Sequence, residues 1–511
     1  MDLFFLSVLL YLVYLGISTI RNLFFHPLSD VSGPFLARIS ILPSFYHASK
    51  GDRHLWIEAN FKIYGDKFRA CPNTVLFNTP RAYNDIHSTR ANTTCGDFYR
   101  AWKRDEHDVT VMNSTDPAHH AKLRKLLNLA FTDQSLKASG PVIAKHVDRW
   151  LYLLTGNTER HIRRLDQKDG QIGMWSHPFN MAIVVERLIF DILGELCYGA
   201  SFDTKEPGEN PLKEVPEQIM KSVKFGFTLS KSPLFPVFLY LQPRGLSRVI
   251  NYLRKKEVKL YNAFIETSVD KRIESHKAHP SQEAEDMFHF FLTAIDPDTG
   301  RPAFENRNRL LSESRVLTLA GTDTTASSVC ALFFYLSRYP AVTARLTSEI
   351  RDTFDSIKEI APGPKLSQSP GDLPREVLPG GAVIDGFPCP PGTSVGCSAW
   401  SMGRSETLYG ADADVFRPER WMPSDDTHVL KMRRCFHPFS IGPMNCVGQN
   451  LAILEFQLIV AKTVWATDFS VPEMELNKEG SDRQVNPVYN VTDAYLSLKV
   501  GPFLRFRQRL G

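Results

Sequence analysis

The 511-residue chain carries 60 lysine and arginine residues against 56 aspartate and glutamate residues, a formal net charge of +4. This balance lacks the strongly basic character of nucleic-acid-binding proteins, so nucleic acid is not expected as a partner. Hydrophobic residues make up 43% of the chain, which is enough for a large core. The eight cysteines form no CxxC pair, which argues against a disulfide framework or a zinc site and favours a reducing, cytosol-facing location.

The first segment of the chain predicts a membrane anchor. Leu3–Ile20 holds eighteen residues without a charge, and a helix of that length spans about 27 Å, near the thickness of a bilayer's hydrocarbon core. A cleaved signal peptide is the alternative. No basic residue precedes the apolar run, however, whereas Arg21 and Arg38 follow it. This asymmetry favours a single-pass anchor over residues 1–22, with the bulk of the chain in the cytosol.

Residues 23–35 are interpreted as a hinge, because proline and glycine punctuate His26 to Gly33. Residues 36–511 are then one large domain. With this orientation, the glycosylation sequons at Asn92, Asn113 and Asn490 would face the wrong side of the membrane.

The dipeptide Asp116-Pro117 predicts the start of a helix, with aspartate as the N-cap and proline at the first helical position. His120 and Arg124 are four residues apart on this helix and therefore share one face. The alternative interpretation is a solvated basic face, shared with two neighbouring lysines.

A second motif lies within a long helix predicted from about Arg309 to Ser337, where Ala320–Thr325 reads AGTDTT. Glycine, aspartate and threonine are poor residues for a helix interior, which suggests that a function retains them. A helix opened at Gly321 would make room for a diatomic ligand, and Asp323 beside Thr324 would pass protons inward. The alternative is a packing or kink feature.

The strongest motif lies between Phe436 and Asn450, in the stretch FHPFSIGPMNCVGQN. Cys446 stands between Gly442 and Gly448, and a helical pattern follows it directly. Small residues let a flat cofactor approach the backbone, and a helix N-terminus favours an anionic thiolate, so this cysteine suits a metal ligand. Taken alone, it is more simply a small buried hydrophobic residue.

The pattern of Phe439, Gly442, Cys446 and Gly448 resembles the haem-binding loop of the cytochrome P450 family, FxxGxRxCxG. In that family the cysteine thiolate holds the haem iron. One position departs from the pattern, because the family's arginine is Met444 here.

The resemblance assigns roles to residues outside this loop. It implies that Thr324 hydrogen-bonds oxygen at the iron and that Asp323 relays protons. It also implies that His120 and Arg124 contact the haem propionates, together with Arg375 of the segment PREVLPGG. The presence of Thr324 favours oxygen activation over the isomerase-like branches of the family.

The chain lacks the ExxR motif of the family, which is expected between Glu349–Arg351 and Arg375. A segment appears to be deleted near 366–374, so that the chain passes directly from a loop into the next predicted strand. In the family, ExxR forms a buried ion network with an arginine that corresponds to Arg420, and removal of one partner of such a pair costs about 3–5 kcal/mol. Two explanations are consistent with the sequence, a gene-model or splicing error and a true deletion. The missing motif and the replacement of the family's arginine by Met444 both put haem retention in question.

The sequence therefore predicts a mainly α-helical P450 fold with small β-sheets, preceded by a transmembrane helix. The resemblance, which is nearest to microsomal enzymes of fungal secondary metabolism, implies haem b as cofactor and NADPH-cytochrome P450 reductase as electron donor. It implies an enzyme of the endoplasmic reticulum membrane that uses O2 to insert one oxygen atom into an apolar small molecule. The alternative is a membrane-anchored, catalytically silent relative that binds a lipid or partner.

Overall fold

The computed structural model describes residues 3–103, 108–156, 174–253, 255–278, 286–304, 306–360, 373–422, 427–476 and 487–509. Over these residues the fold is mainly helical with small sheets, as predicted. The predicted deletion near 366–374 lies mostly outside the described residues.

The helices of the first half of the chain run from the apolar N-terminus to the long helices of the core. In chain order they are α1 Leu3–Ile20, α2 Phe35–Ile39, α3 Leu42–Lys50, α4 Arg53–Tyr64, α5 Pro80–His87, α6 Pro117–Asn128, α7 Asp133–Leu154, α8 Met181–Tyr198, α9 Val215–Ser230, α10 Phe235–Leu241 and α11 Leu246–Leu253.

The helices of the second half include the longest one of the described chain. They are α12 Lys256–Ala278, α13 Met287–Thr293, α14 Arg307–Leu336, α15 Pro340–Thr353, α16 Ala399–Met402, α17 Glu406–Tyr409, α18 Thr427–Cys435, α19 Gln449–Ala466 and α20 Glu473–Leu476.

The strands are short and form one five-stranded sheet of order β1-β2-β8-β5-β3, one three-stranded sheet of order β4-β12-β9, and the pairs β6-β7 and β10-β11. They are β1 Lys67–Cys71, β2 Thr74–Phe77, β3 Thr93–Cys95, β4 Phe179–Asn180, β5 Arg375–Val377, β6 Ala382–Ile384, β7 Phe387–Cys389, β8 Ser394–Cys397, β9 Thr467–Ser470, β10 Val491–Ala494, β11 Leu496–Lys499 and β12 Phe503–Gln508. Among the described strands, only β2 and β8 pair in parallel, and the other pairs are antiparallel.

Several local sequence signals are confirmed by these bounds. The strand predicted over Val75–Phe77 is β2, and the predicted aspartate cap is present, because the Asp116 carboxylate accepts a hydrogen bond from the Ala118 N–H at the start of α6. The helix predicted from about Arg309 to Ser337 is α14, with bounds of Arg307–Leu336.

The N-terminal helix α1 lies outside the hydrophobic core. Its described apolar side chains are largely exposed to solvent, among them Phe5, Leu10 and Ile17. Phe5–Phe25 is long and apolar enough to cross a membrane, in agreement with the predicted anchor. Helix α14 also passes the test of length and hydropathy, but half of its apolar window is buried, as expected of a core helix.

Helix α14 runs through the AGTDTT motif without interruption, which corrects the expectation of a helix opened at Gly321. A side chain at Gly321 would bring its Cβ to 2.7 Å from Cδ1 of Leu193 in α8. The glycine therefore serves the close packing of two core helices. Most of this core lies where α7, α8, α14 and α19 meet.

Arg420 has hydrogen-bond partners, whereas the missing ExxR motif predicts that it lacks its acidic partner. The Arg420 guanidinium is bonded instead to the carbonyl oxygens of Tyr409 at 2.7 Å, Asp412 at 2.8 Å and Val415 at 3.0 Å. It also lies 3.3 Å from the Asp412 carboxylate. The segment that surrounds Arg420 therefore satisfies the guanidinium by itself.

Candidate functional site

The loop before α19 is held in a fixed shape by its own backbone. The Cys446 N–H donates to the Phe439 carbonyl at 2.8 Å, and the Asn445 N–H donates to the Gly442 carbonyl at 3.1 Å. Gly442 has a φ of +70°, and a Cβ at this position would collide with the His87 carbonyl of α5. Only glycine fits here, for both steric and conformational reasons.

Cys446 is accessible to solvent, although protein atoms surround its side chain. Burial among these atoms raises the pKa of its thiol. The Gly448 N–H and the positive charge of Arg124 act in the opposite direction and favour the thiolate. A Cβ at Gly448 would come no closer than 4.0 Å to the Cys446 sulfur, so the loop leaves open room beside the thiol.

One face of α14 is also accessible to solvent. Ala320 is exposed and Thr324 is half-buried, although Thr322, Asp323 and Thr325 around them are buried. The exposed Ala320 lies in the middle of a core helix, so this face of α14 leaves accessible space beside it. The Thr324 hydroxyl donates to the Ala320 carbonyl at 2.8 Å, which fixes its rotamer on this face.

A buried contact joins the two elements that carry these groups. The Thr325 hydroxyl of α14 lies 3.3 Å from Oε2 of Glu455 in α19. Because α19 begins three residues after Cys446 and Thr325 follows Thr324 directly, this contact packs the helix after the cysteine loop against the helix that carries Thr324.

Three basic residues predicted from the sequence surround the same region. Arg124 donates from one guanidinium nitrogen to the Asn445 carbonyl and from another to the Asn445 side chain at 2.8 Å, so it clamps the cysteine loop. Arg375 is 4% exposed and donates to the Tyr99 hydroxyl at 3.1 Å and the Pro374 carbonyl at 3.2 Å. His120 is also buried, and burial together with Arg124 and Arg375 lowers its pKa to about 4.

This donor set fits a cofactor that carries carboxylates. Within the described residues, the buried Arg375 guanidinium has no acidic partner, and a buried charge without a counter-ion is unfavourable. Propionate groups would supply the missing negative charge beside Arg124, His120 and Arg375. The residues present thus fit haem on two grounds, the accessible thiol and the uncompensated Arg375 guanidinium.

Asp323 and Thr324 face different surroundings, although the sequence places them side by side. Oδ1 of Asp323 lies 2.7 Å from Nζ of Lys499, and its Oδ2 accepts from the Ser497 N–H at 3.3 Å. Lys499 also contacts Glu186 of α8 at 2.7 Å. The Asp323 carboxylate is therefore engaged with the β10-β11 hairpin and α8, whereas Thr324 lies on the open face of α14.

Sequence reasoning did not identify Lys499 or Glu455. Lys499 is a lysine in an ordinary alternating strand, and no local pattern shows that its side chain is fully buried between two carboxylates. Glu455 did carry a signal, because it is a lone acid inside the apolar run LAILEFQLIV. Burial raises its pKa to about 8.

The fold and this donor set are typical of haem-thiolate proteins. The family model for cytochrome P450 matches residues 34–362 and 366–486. The chain therefore belongs to the cytochrome P450 family, and it is an oxidoreductase of the monooxygenase class.

Fungal relatives align over nearly the whole chain. Cytochrome P450 monooxygenase apf7 of Gibberella fujikuroi is 30% identical over 96% of this chain and 96% of its own. Cytochrome P450 monooxygenase poxM of Penicillium oxalicum is 29% identical over 97% and 93%, respectively. Cytochrome P450 monooxygenase atnE of Emericella nidulans is 28% identical over 97% and 94%.

Proposed function

We propose that this chain binds haem b through Cys446 and inserts one oxygen atom from O2 into an unactivated C–H or C=C bond of an apolar small molecule. Fungal secondary-metabolite biosynthesis is the proposed setting. The observation that carries the proposal is the Cys446 thiol, which is accessible, is surrounded by protein atoms and lies in a loop that Arg124 clamps.

The residues at this site have separate tasks in the proposal. Cys446 would provide the thiolate ligand, while Arg124 and Arg375 would neutralise the haem carboxylates and the neutral His120 would donate a hydrogen bond to them. Phe439, Gly442 and Gly448 would shape the loop and leave room for the flat ring. The haem, when bound, would supply the oxygen-activating chemistry, and the protein would orient the substrate and exclude water.

Thr324 and Asp323 would take part in proton delivery. The Thr324 hydroxyl donates to the Ala320 carbonyl, so its oxygen remains available to accept a hydrogen bond from a water or a protonated group in the open space. Asp323 would reach this space only after its carboxylate leaves Lys499, which lies 2.7 Å away. In this proposal, rotation of Asp323 precedes proton delivery.

Electrons would come from NADPH through the membrane-bound NADPH-cytochrome P450 reductase. The exposed basic face of α6, which includes Lys122, would suit an acidic redox partner. The apolar helix α1 would anchor the chain in the endoplasmic reticulum membrane by a single span, with residues 23–35 as a hinge and residues 36–511 as the cytosolic domain.

The test is the carbon monoxide difference spectrum of the reduced protein, expressed in microsomes. We expect a red-shifted, thiolate-type Soret band that disappears in Cys446→Ala. Cys435→Ala is the matched control and should retain the band, because Cys435 lies eleven residues upstream at the end of α18. Accumulated protein without the band, or a band that survives in Cys446→Ala, would overturn the proposal.

The catalytically silent relative remains the competing function because the chain has no ExxR motif. The bonding of Arg420 to three carbonyl groups weakens that argument. A thiolate-type spectrum without oxygen-dependent NADPH consumption, in the presence of reductase and a panel of apolar substrates, would favour the silent protein.

A further inference from the structure

A cluster of aromatic side chains borders the cysteine loop at Met444. Phe98, Tyr99, Trp102 and Tyr495 pack together, and Met444 of the cysteine loop packs against them. The Tyr495 ring lies 4.7 Å from Phe98, 6.2 Å from Tyr99 and 6.3 Å from Trp102, measured between ring centroids. Because Met444 is two residues from Cys446, this aromatic cluster belongs to the surroundings of the thiol.

Two hydroxyl groups in the cluster leave one proton without an acceptor. The Tyr99 and Tyr495 oxygens lie 3.3 Å apart, so one of the two hydroxyls donates to the other. Arg375 donates to the Tyr99 oxygen at 3.1 Å, and a guanidinium has no lone pair with which to accept in return. Whichever tyrosine donates within the pair, the remaining hydroxyl proton has no partner among the described residues. An unpaired donor inside an apolar cluster is unfavourable unless a ligand satisfies it.

Tyr495 is held at this place by an unusual backbone. It forms the tip of the β10-β11 hairpin, where Ala494 pairs directly with Leu496. Its φ of +71° lies in the left-handed region, which costs a residue with a side chain about 1 kcal/mol or more. The base of the same hairpin is fixed to α14 by the contacts of Lys499 and Ser497 with Asp323. The hairpin thus holds the Tyr495 hydroxyl at a fixed distance from α14.

Tyr495 is half-buried, and its hydroxyl is surrounded by protein atoms. It keeps part of its surface accessible, although burial raises the pKa of its hydroxyl far above the ordinary value. The phenol remains protonated in these surroundings, so it can serve as a hydrogen-bond donor.

We propose that the Tyr99–Tyr495 pair is the polar recognition point of the substrate space, and that it donates one hydrogen bond to a neutral carbonyl oxygen. The body of the substrate would be flat, apolar and ring-containing, because Phe98 and Trp102 offer aromatic surfaces beside the donor. This inference rests on the proposed haem-dependent function and narrows its substrate class to carbonyl-bearing ring compounds. Both tyrosines act as specificity-determining residues.

The test compares two probes of the same shape, 9-fluorenone, which has a carbonyl group, and fluorene, which lacks it. Binding of each probe to the purified haem-loaded protein is measured by equilibrium dialysis. We expect the ratio of the fluorenone affinity to the fluorene affinity to fall by about fivefold in the variant, Tyr495→Phe or Tyr99→Phe, that removes the hydroxyl which donates to the probe, as for the loss of one neutral hydrogen bond. Tyr252→Phe is the matched control, because Tyr252 is 81% exposed on α11, and it should keep the ratio of the unmodified chain.

Haem content and the thiolate-type spectrum are recorded for every variant, so that failure of the proposed function is seen separately. If haem is retained and the ratio does not change in either Phe variant, the carbonyl recognition is wrong. Failure of both probes to bind the haem-loaded protein would also refute it. Loss of haem in the Phe variants with an unchanged ratio would show that the pair serves the cofactor, which again overturns the inference.

Discussion

Lys499 and Asp323 form a buried ion pair in which Nζ lies 2.7 Å from Oδ1, with both side chains almost fully excluded from solvent. Glu186 completes the arrangement on the other side of the ammonium group, at 2.7 Å. The pair connects the hairpin that carries Tyr495 to the helix that carries Thr324. It thereby links the shape of the proposed substrate space to the proposed proton route.

Replacement of Lys499 by methionine should destabilise the protein by about 3–5 kcal/mol, because it leaves two neighbouring carboxylates without their cation. The free energy of unfolding, measured by urea titration, is the readout. The double variant Lys499→Met with Asp323→Asn removes one of the two charges and should recover part of the loss. If the unfolding free energy of Lys499→Met lay within about 1 kcal/mol of that of the unmodified chain, a buried ion pair would be contradicted.

Two glycines of the cysteine loop should respond differently to alanine. Gly442→Ala introduces a Cβ that collides with the His87 carbonyl at a φ of +70°, so we expect a loss of about 2 kcal/mol or more in unfolding free energy. Gly448→Ala has room in the protein without cofactor, because its nearest neighbours would be 4.0 Å away. It should fold normally and lose haem content, since the proposed ring occupies that room. Equal stability of the two variants would disprove this account of Gly442.

Glu455 should make the stability depend on pH. Its pKa is raised to about 8 in the fold and is near 4.3 in an unfolded chain. Between these values the folded state binds more protons than the unfolded state, so stability falls as the pH rises from about 5 to 8, by at most about 1.4 kcal/mol per pH unit. Glu455→Gln should flatten this slope in urea titrations at several pH values. An unchanged slope would mean that Glu455 ionises without penalty.

Arg420→Ala should destabilise the chain by about 3 kcal/mol, because the buried guanidinium bonds to three carbonyl groups that would lose their donor. Arg420→Lys should recover only part of this loss, since one ammonium group cannot reproduce the planar fork. Thermal or urea unfolding measures both variants. Full stability of Arg420→Ala would show that the segment around it is held by other contacts, such as the stacking of Phe416 on Tyr335 at 4.7 Å.

The sequence by itself determined the family, the main helices and the cysteine of the loop, because these depend on local signals. Apolar periodicity, the Asp116-Pro117 cap and the spacing around Cys446 are all properties of neighbouring residues. A short motif with fixed glycine positions is specific because the backbone permits no other residue at places such as Gly442.

Only the tertiary structure decided which groups meet. The sequence predicts a local opening of the helix at Gly321, yet this glycine permits close contact with Leu193, 128 residues earlier in the chain. Arg420 is read as an orphaned charge, yet nearby carbonyl groups satisfy it. The partnership of Asp323 with Lys499 joins residues 176 positions apart. Such contacts form when elements that are distant in sequence pack together and their desolvated charges need partners. Both conditions depend on the whole fold, so a local sequence pattern does not predict them.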